Sequence, residues 1–352
     1  MSGEKVIVGL SGGVDSTVCA YLLKQQGYDV IGVTMDLWPG ENGEKAIQDA
    51  KRVSEKLEIP HFVLNFRDEF KDKVVDDFIG RYFNGLTPNP CVVCNRYIKG
   101  AALLEKAHEL GASYIATGHY AKVEKHPKTG RYAIRNSETA QKDQTYALYR
   151  LTQEQLKAMI LPIGAYTKNE VRKIAEEIDG FIAQKGDSQD ICFIPDGDYA
   201  TFIINERGDN GKPGSFVDLA GNVLGKHKGI IHYTVGQRKG LGLAFGKPMY
   251  VYALNPYLNQ VVLCENESLF QKSLYVGELA HMALEKFEDG MRLQGKIRYG
   301  NKMGWCTIRM VGPDTMECTF DEPQRAITPG QSLVLYDGEY VAGGGIILPE
   351  QK

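Results

Sequence analysis

The chain opens with the apolar run Val6-Ile7-Val8-Gly9-Leu10, then the small and polar residues Ser11-Gly12-Gly13-Val14-Asp15-Ser16, then Val18, Ala20, Leu22 and Leu23 at roughly helical spacing. This pattern predicts a strand, a tight loop and a helix, with Asp15 or Ser16 as the helix cap and Gly27 as its left-handed stop. The alternation continues with strands over 29–34, 61–65 and 113–117 and helices over 44–57, 69–83 and 99–110. Such βαβ order predicts a doubly wound α/β domain on a parallel sheet. Helical spacing returns over 151–178, with a second short helix from Asn169. Beyond about Asp196, glycine, proline and asparagine punctuate short β-like runs at 229–235, 247–254, 260–264, 291–298, 306–311, 332–336 and 340–347. These predict one or two small β domains, with soft boundaries near Tyr199 and Lys272 that divide the chain into 1–199, 200–272 and 273–352.

Composition narrows the class. With 352 residues, 43% hydrophobic and 24% charged, the chain can bury sizeable cores in two or three domains. No stretch approaches the roughly 20 consecutive apolar residues of a membrane span, and Met1-Ser2-Gly3-Glu4-Lys5 leads straight into the first strand, so a cytoplasmic location without membrane contact is expected. The net charge is only -3, so a nucleic acid would have to be met by local basic patches. Lys226, Lys228, Arg238 and Lys239 form one candidate, and Lys296, Arg298, Lys302 and Arg309 another, with Tyr233, Tyr299 and Trp305 among them for stacking. A solvated charged edge is the plainer reading of the same residues. The seven cysteines are an odd number, which favours free thiols over a disulfide scaffold, with Cys19 packing in the first helix.

The loop at 11–16 carries the first chemistry. Gly12 and Gly13 let the main chain approach an anion, while loop amides, the helix N-terminus and the hydroxyls of Ser11, Ser16 and Thr17 supply donors. No lysine follows the second glycine, so this is not a Walker A loop and nothing local supplies the usual γ-phosphate cation. Ser-Gly-Gly-Val-Asp-Ser resembles the loop of the N-type ATP pyrophosphatases, which implies adenylation of a substrate oxygen with release of pyrophosphate. Gly118 and His119 follow a predicted strand and are placed to face the nucleotide or its acceptor, although a structural histidine fits His119 nearly as well. The second chemical signal is Thr87-Pro88-Asn89-Pro90-Cys91-Val92-Val93-Cys94-Asn95, joined by Cys192 in Asp187-Ser188-Gln189-Asp190-Ile191-Cys192-Phe193. A C-x-x-C pair alone reads as half a zinc site, a redox pair or chance, and zinc would need two further ligands.

Together with Lys142-Asp143-Gln144, Thr117-Gly118-His119-Tyr120 and the β-rich end, these segments resemble the bacterial tRNA-specific 2-thiouridylases over essentially the whole chain. The resemblance implies ATP-dependent thiolation of the tRNA wobble uridine by a pyrophosphatase domain, a central domain and a C-terminal β-barrel-like domain. It implies that Gly9, Leu10, Ser11, Gly12, Gly13, Val14, Asp15 and Ser16 hold ATP with Mg²⁺, framed by Met35 and Gly118. It implies Cys94 as the nucleophile and Cys192 as the persulfide carrier, supplied by a cysteine desulfurase or a sulfur-relay protein. Asn89, Pro90 and Cys91 would lie against the target base, and His119, Lys142, Asp143, Gln144, Tyr299, Gly300 and Gln331 would contact tRNA. Both working thiols would need thiolate character, so low pKa values are expected for them. One departure stands out: many relatives carry an aspartate where this chain has Cys91. With Cys91, Cys94 and Cys192, the site also resembles enzymes that hold a four-iron four-sulfur cluster on three cysteines with one iron open. A persulfide relay and a cluster-bound sulfide therefore compete. Two other functions use the same residues: an ATP-pyrophosphatase ligase acting on a small metabolite, and an iron-sulfur or redox protein with a regulatory nucleotide site.

Overall fold

The computed structural model describes residues 3–139, 143–186, 191–209, 211–243 and 246–350. In chain order its first seven strands are β1 (Lys5–Gly9), β2 (Asp29–Asp36), β3 (His61–Asn65), β4 (Tyr114–Ala116), β5 (Lys122–Lys125), β6 (Tyr132–Arg135) and β7 (Met159–Ile160). Five of them form a parallel sheet in the order β3-β2-β1-β4-β7. Val6, Ile7 and Val8 are all fully buried, as a strand covered on both faces requires. Val6 and Val8 pack with Val18 and Leu23 of the helix Val14–Gln25 and with Val53 and Val171 on one face. Ile7, Ile31 and Ile115 pack with Leu103, Leu104 and Ala107 on the other. Helices on both faces make the domain doubly wound, as the sequence pattern predicts.

Several boundaries differ from expectation for local reasons. The first helix begins at Val14, and Gly13 is its cap with no side-chain bond. Asp15 and Ser16 lie in the first turn instead, because the Asp15 carboxylate is taken by Tyr120 and Lys168. The stretch 151–178 is not continuously helical: it holds the helix Gln153–Ala158, strand β7, a tight turn Pro162–Ala165 and the helix Lys168–Ile178. Reciprocal capping boxes, Thr152 with Gln155 and Thr167 with Glu170, set both helix starts. The cysteine-bearing helix begins at Pro90 and widens into a π-helical segment over Asn95–Ala102, a distortion that recurs at functional sites.

The second region begins with the helix Tyr199–Arg207. It continues with β8 (Gly214–Val217), β9 (Val223–His227), β10 (Tyr250–Asn255) and β11 (Gln260–Cys264), in the order β10-β11-β8-β9. The predicted strand at 229–235 is instead a tight helical turn over Ile230–His232, and Tyr233 is buried in this region's core with Phe216, Val251 and Leu263 rather than offered to RNA. The last region is a closed antiparallel barrel of β12 (Phe270–His281), β13 (Arg292–Lys296), β14 (Gly304–Gly312), β15 (Thr315–Arg325), β16 (Ser332–Asp337) and β17 (Tyr340–Ile347), with β12 pairing β17 to close it. The hairpin β5-β6 reaches out of the first region and pairs with β17. The barrel also docks on the segment before the cysteines: the Thr87 amide donates to the Pro329 carbonyl at 2.9 Å and Gln331 Nε2 donates to the Thr87 carbonyl at 2.8 Å. A Cβ on Gly330 would stand 2.7 Å from the Thr87 nitrogen, so this approach needs glycine. Among the described residues, no helix is long and apolar enough to cross a membrane.

Candidate active site

The loop after β1 turns tightly, and the Ser16 and Thr17 hydroxyls expected to face an anion bond within it. Gly12 has φ +69°, and a Cβ there would fall 2.4 Å from Asp49 Cβ on the helix Glu41–Leu57, so only glycine lets the loop turn and pack. Ser16 Oγ accepts from the Ser11 amide at 3.2 Å and donates to the Gly13 carbonyl at 3.2 Å, and Thr17 Oγ1 donates to the same carbonyl at 2.8 Å. Gly118, just past β4, lies against the loop: its Cβ would meet the Asp15 carbonyl carbon at 2.7 Å. Met35 Cε stands 3.4 Å from where a Gly9 Cβ would be.

The cation that the local sequence lacks arrives from far along the chain. Lys168 Nζ bonds Asp15 Oδ1 at 2.7 Å, and Tyr120 donates its hydroxyl to the same oxygen at 2.8 Å. Lys185 Nζ bonds the Gly12 carbonyl at 2.8 Å and Asp49 Oδ2 at 2.7 Å. Neither lysine was singled out from the sequence; the only trace is that Lys168 opens a helix, where a cation opposes the helix dipole.

Asn89 organises the cysteines. Its side chain caps the helix Pro90–Cys94 by accepting from the Cys91 amide at 3.1 Å, with Pro90 preset for the first turn. Cys91 is exposed, Cys94 is buried among Phe70, Val74, Phe78, Ile98 and Phe193, and Cys192 is exposed. The three lie close enough that Cys192 and Cys91 both raise the pKa of Cys94, and Cys91 raises that of Cys192. The positive charge of Lys99, on the π-helical segment, acts to lower the pKa of Cys94, Cys192 and His119 alike.

The expected low thiol pKa values are not found. Burial pushes Cys94 up to about 12, because the surrounding aromatic and aliphatic side chains solvate a thiolate poorly; Lys99 opposes this only in part. Burial also raises Cys192, helped by Cys91. In iron-free protein at about pH 7.5, alkylation is therefore expected to label the exposed Cys91 and Cys192 before Cys94, with Cys94 labelling still climbing about tenfold per pH unit at pH 11. Peptide mass spectrometry across a pH series checks this, and a Cys94 inflection near pH 7 would contradict it.

Among the described residues, no three His, Cys, Asp or Glu side chains gather as a single metal ion requires. Three thiols, Cys94 buried and Cys91 and Cys192 exposed, have the donor type of an iron-sulfur cluster, whose ligands attach to different irons.

The remaining sequence candidates divide. His119 is buried, its Nδ1 is 2.7 Å from Thr117 Oγ1, and burial with Lys99 nearby holds its pKa well below the ordinary histidine value, so it is neutral at pH 7. Gln144 is paired with the Tyr120 backbone, its side-chain oxygen accepting at 2.8 Å. Asp143 accepts from the amides of Ser137 and Thr145, both at 3.2 Å. Lys142 lies outside the described residues, as do 187–190 before Cys192. Tyr299 and Gly300 are exposed beside Tyr146, and Gln331 sits at the barrel contact described above. In the basic patches, Lys226, Lys228, Arg238 and Lys239 are exposed, whereas Arg309 is paired with Glu317 and Arg298 is half-buried and bonded to the Arg325 carbonyl at 2.7 Å.

Family comparison fits this architecture. The tRNA methyl transferase HUP domain matches residues 4–196, the tRNA methyl transferase PRC-barrel domain residues 201–265 and the aminomethyltransferase beta-barrel domain residues 271–347. These define a HUP-domain protein with two β domains appended. The tRNA-specific 2-thiouridylase MnmA of Clostridioides difficile is 53% identical over 353 residues, covering 98% of this chain and 98% of that protein. Its namesake in Lachnoclostridium phytofermentans is 52% identical over 356 residues, covering 98% and 99%. The chain belongs to the MnmA family of tRNA-specific 2-thiouridylases. A 4-thiouridine synthetase solved with RNA and ATP matches 59% of this chain and 51% of its own at 19% identity, with a TM-score of 0.34, a likeness too slight to carry argument.

Proposed function

We propose that the protein is an ATP-dependent tRNA-uridine 2-sulfurtransferase that adenylates O2 of the wobble uridine and then replaces that oxygen with sulfur. The observation that carries this reading is that Met35, whose Cε would be 3.4 Å from a Cβ on Gly9 beside the loop, also packs with the cluster that encloses Cys94, so the loop and the cysteine helix share one neighbour.

The C2 carbonyl of uridine is a poor electrophile with an oxide as its leaving group. Attack of O2 on the α-phosphorus of ATP expels pyrophosphate and makes AMP the leaving group instead. Loop amides and Lys168 offset the charge that develops on the phosphates. Asp15 and Asp49, beside the loop and paired with Lys168 and Lys185, are the carboxylates that would face a magnesium ion bound with the triphosphate, which would supply neutralising charge. In the relay, the outer sulfur of a Cys192 persulfide attacks C2 and AMP leaves. The Cys94 thiolate then attacks Cys192 Sγ, forming a disulfide and leaving the electron pair on the sulfur of 2-thiouridine. An external dithiol resets the pair. The exposure of Cys192 suits loading by a cysteine desulfurase or relay protein.

A second reading of the sulfur source is favoured by the third thiol, for which the relay has no task. Cys91, Cys94 and Cys192 would hold a four-iron four-sulfur cluster whose open iron presents sulfide. Bulk tRNA incubated with the protein, ATP, Mg²⁺ and a sulfide source is expected to give product retarded on a mercury gel, with AMP formed in step. AMP formation with a small acceptor and none with tRNA would favour a metabolite ligase instead. Iron-free protein and Cys91→Ala both retain thiolation with a persulfide donor under the relay, and both lose it under the cluster reading.

A further inference from the structure

Residues 179–185 join the end of the helix Lys168–Ile178 to the phosphate loop. Asp179 ends that helix and caps the short helix Gly180–Ala183, and Lys185 Nζ then bonds the Gly12 carbonyl at 2.8 Å. The charged ends of this strap meet two residues one turn apart on the helix Glu41–Leu57, Asp179 pairing with Arg52 at 2.8 Å and Lys185 with Asp49 at 2.7 Å. The signs match in one direction only, so the strap cannot lie reversed on that helix. Between its ends Phe181 is 52% exposed, yet Arg52 Cζ stands 4.5 Å and Lys185 Nζ 5.5 Å from its ring centre, so the ring steadies both cations. Ile182 pins the strap to the core, buried in the cluster that holds Val14, Val18 and Val53. At the far end Arg172 Nη1 donates to the Ala183 carbonyl at 2.8 Å and to the Lys185 carbonyl at 3.3 Å. Arg172 lies four residues after Lys168, on the same face of one helix. That face therefore holds the loop twice: at Asp15 through Lys168, and at Gly12 through Arg172 and Lys185.

We propose that this strap is a clamp on the phosphate loop, with Arg172 and Arg52 as positioning residues for ATP that act through Lys185. The proposal rests on the ATP-dependent reading above. Gly12 has φ +69° and no side chain, so the turn at that residue is the loop's loosest point. Lys185 fixes the Gly12 carbonyl. Because the peptide is planar and trans, a fixed Gly12 carbonyl also fixes the direction of the Gly13 amide, which points the opposite way. An amide aimed before the nucleotide arrives has less freedom to lose on binding, so the clamp acts on ATP affinity more than on the chemical step.

The test measures ATP affinity of the full-length protein by calorimetry, with tRNA affinity and melting temperature alongside. Arg172→Gln and Lys185→Met are each expected to weaken ATP binding about tenfold, the scale of one hydrogen bond to a charged group. The double variant is expected to bind ATP within about twofold of Lys185→Met alone, because Arg172 then has nothing left to position. If the two residues acted independently, their losses would multiply to about a hundredfold, and that result overturns the clamp. An Arg172→Gln protein that melts earlier but binds ATP as the wild type does overturns it too, as does a loss of tRNA affinity equal to the loss for ATP. Arg172→Lys keeps a donor for the Ala183 carbonyl and is expected to recover most of the affinity. Should Arg172→Gln fail to fold, Arg52→Gln takes its place in the same cycle, since the Arg52 side chain is 47% exposed; it is expected to weaken ATP binding several-fold, again without adding to Lys185→Met. Wild-type protein that binds no ATP defeats the parent reading; wild-type binding with every variant equal to it defeats the clamp alone.

Discussion

Cys192→Ala is expected to abolish thiolation, by about a thousandfold or more, while leaving ATP binding and pyrophosphate release intact. The residue is surface-exposed although its sulfur is partly enclosed, so truncation removes little packing. Its loss leaves no sulfur carrier in the relay and one ligand fewer for a cluster, so the expectation holds whichever source is used. Adenylation precedes sulfur entry, and adenylated tRNA should therefore accumulate as a burst of pyrophosphate without mercury-retarded product. Cys94→Ala is expected to act similarly but to cost about 1 kcal/mol of stability as well, because Cys94 packs in the Phe70, Phe78 and Phe193 cluster. Serine is the poorer substitution there, since a hydroxyl among those rings would lack a partner. Thiolation that survives in Cys192→Ala removes this cysteine from the mechanism; loss of pyrophosphate release as well would mean that the two half-reactions are not separable.

What the sequence made legible was local. The run 6–16 states its own conformation, because a buried strand, glycines at the turn and a helix follow one another without long-range help. Asn89-Pro90 likewise encodes a helix start, although the apolar spacing predicts a helix only from 99. The missing information is pairwise. Nothing near Gly13 announces that Lys168 and Lys185 will fold back onto the loop. Nothing in Cys91-Val92-Val93-Cys94 tells that Phe70, Val74 and Phe193 will enclose Cys94, and that enclosure reverses the expected thiol pKa shift. The same limit explains 229–235, where apolar β-formers read as a strand but Ile231 turns toward Phe193 and Ile203 while Tyr233 packs against Phe216. Burial from distant segments decided both cases.

Lys168→Met is expected to slow tRNA-dependent pyrophosphate release about 100-fold to 1,000-fold, with a much smaller change in ATP affinity. The lysine sits at the first position of the helix Lys168–Ile178, where a positive charge opposes the helix dipole and costs rather than contributes stability. Its side chain is nevertheless held in place, only 13% exposed, bonded to Asp15 at 2.7 Å and lying 5.6 Å from the centre of the Tyr120 ring. A cation kept at an unfavourable point beside a phosphate loop is best used on the leaving group, where negative charge grows as the α–β bond breaks and an interaction stronger in the transition state raises turnover. Lys185 stands differently: it ties Gly12 to Asp49 across the loop, so Lys185→Met should loosen ATP binding more than it slows the chemistry. The two variants therefore separate by kcat against KM for ATP. Lys168→Met with normal pyrophosphate release would place the leaving-group charge on magnesium and the loop amides alone, and would reduce the Lys168–Asp15 pair to a strut between two helices.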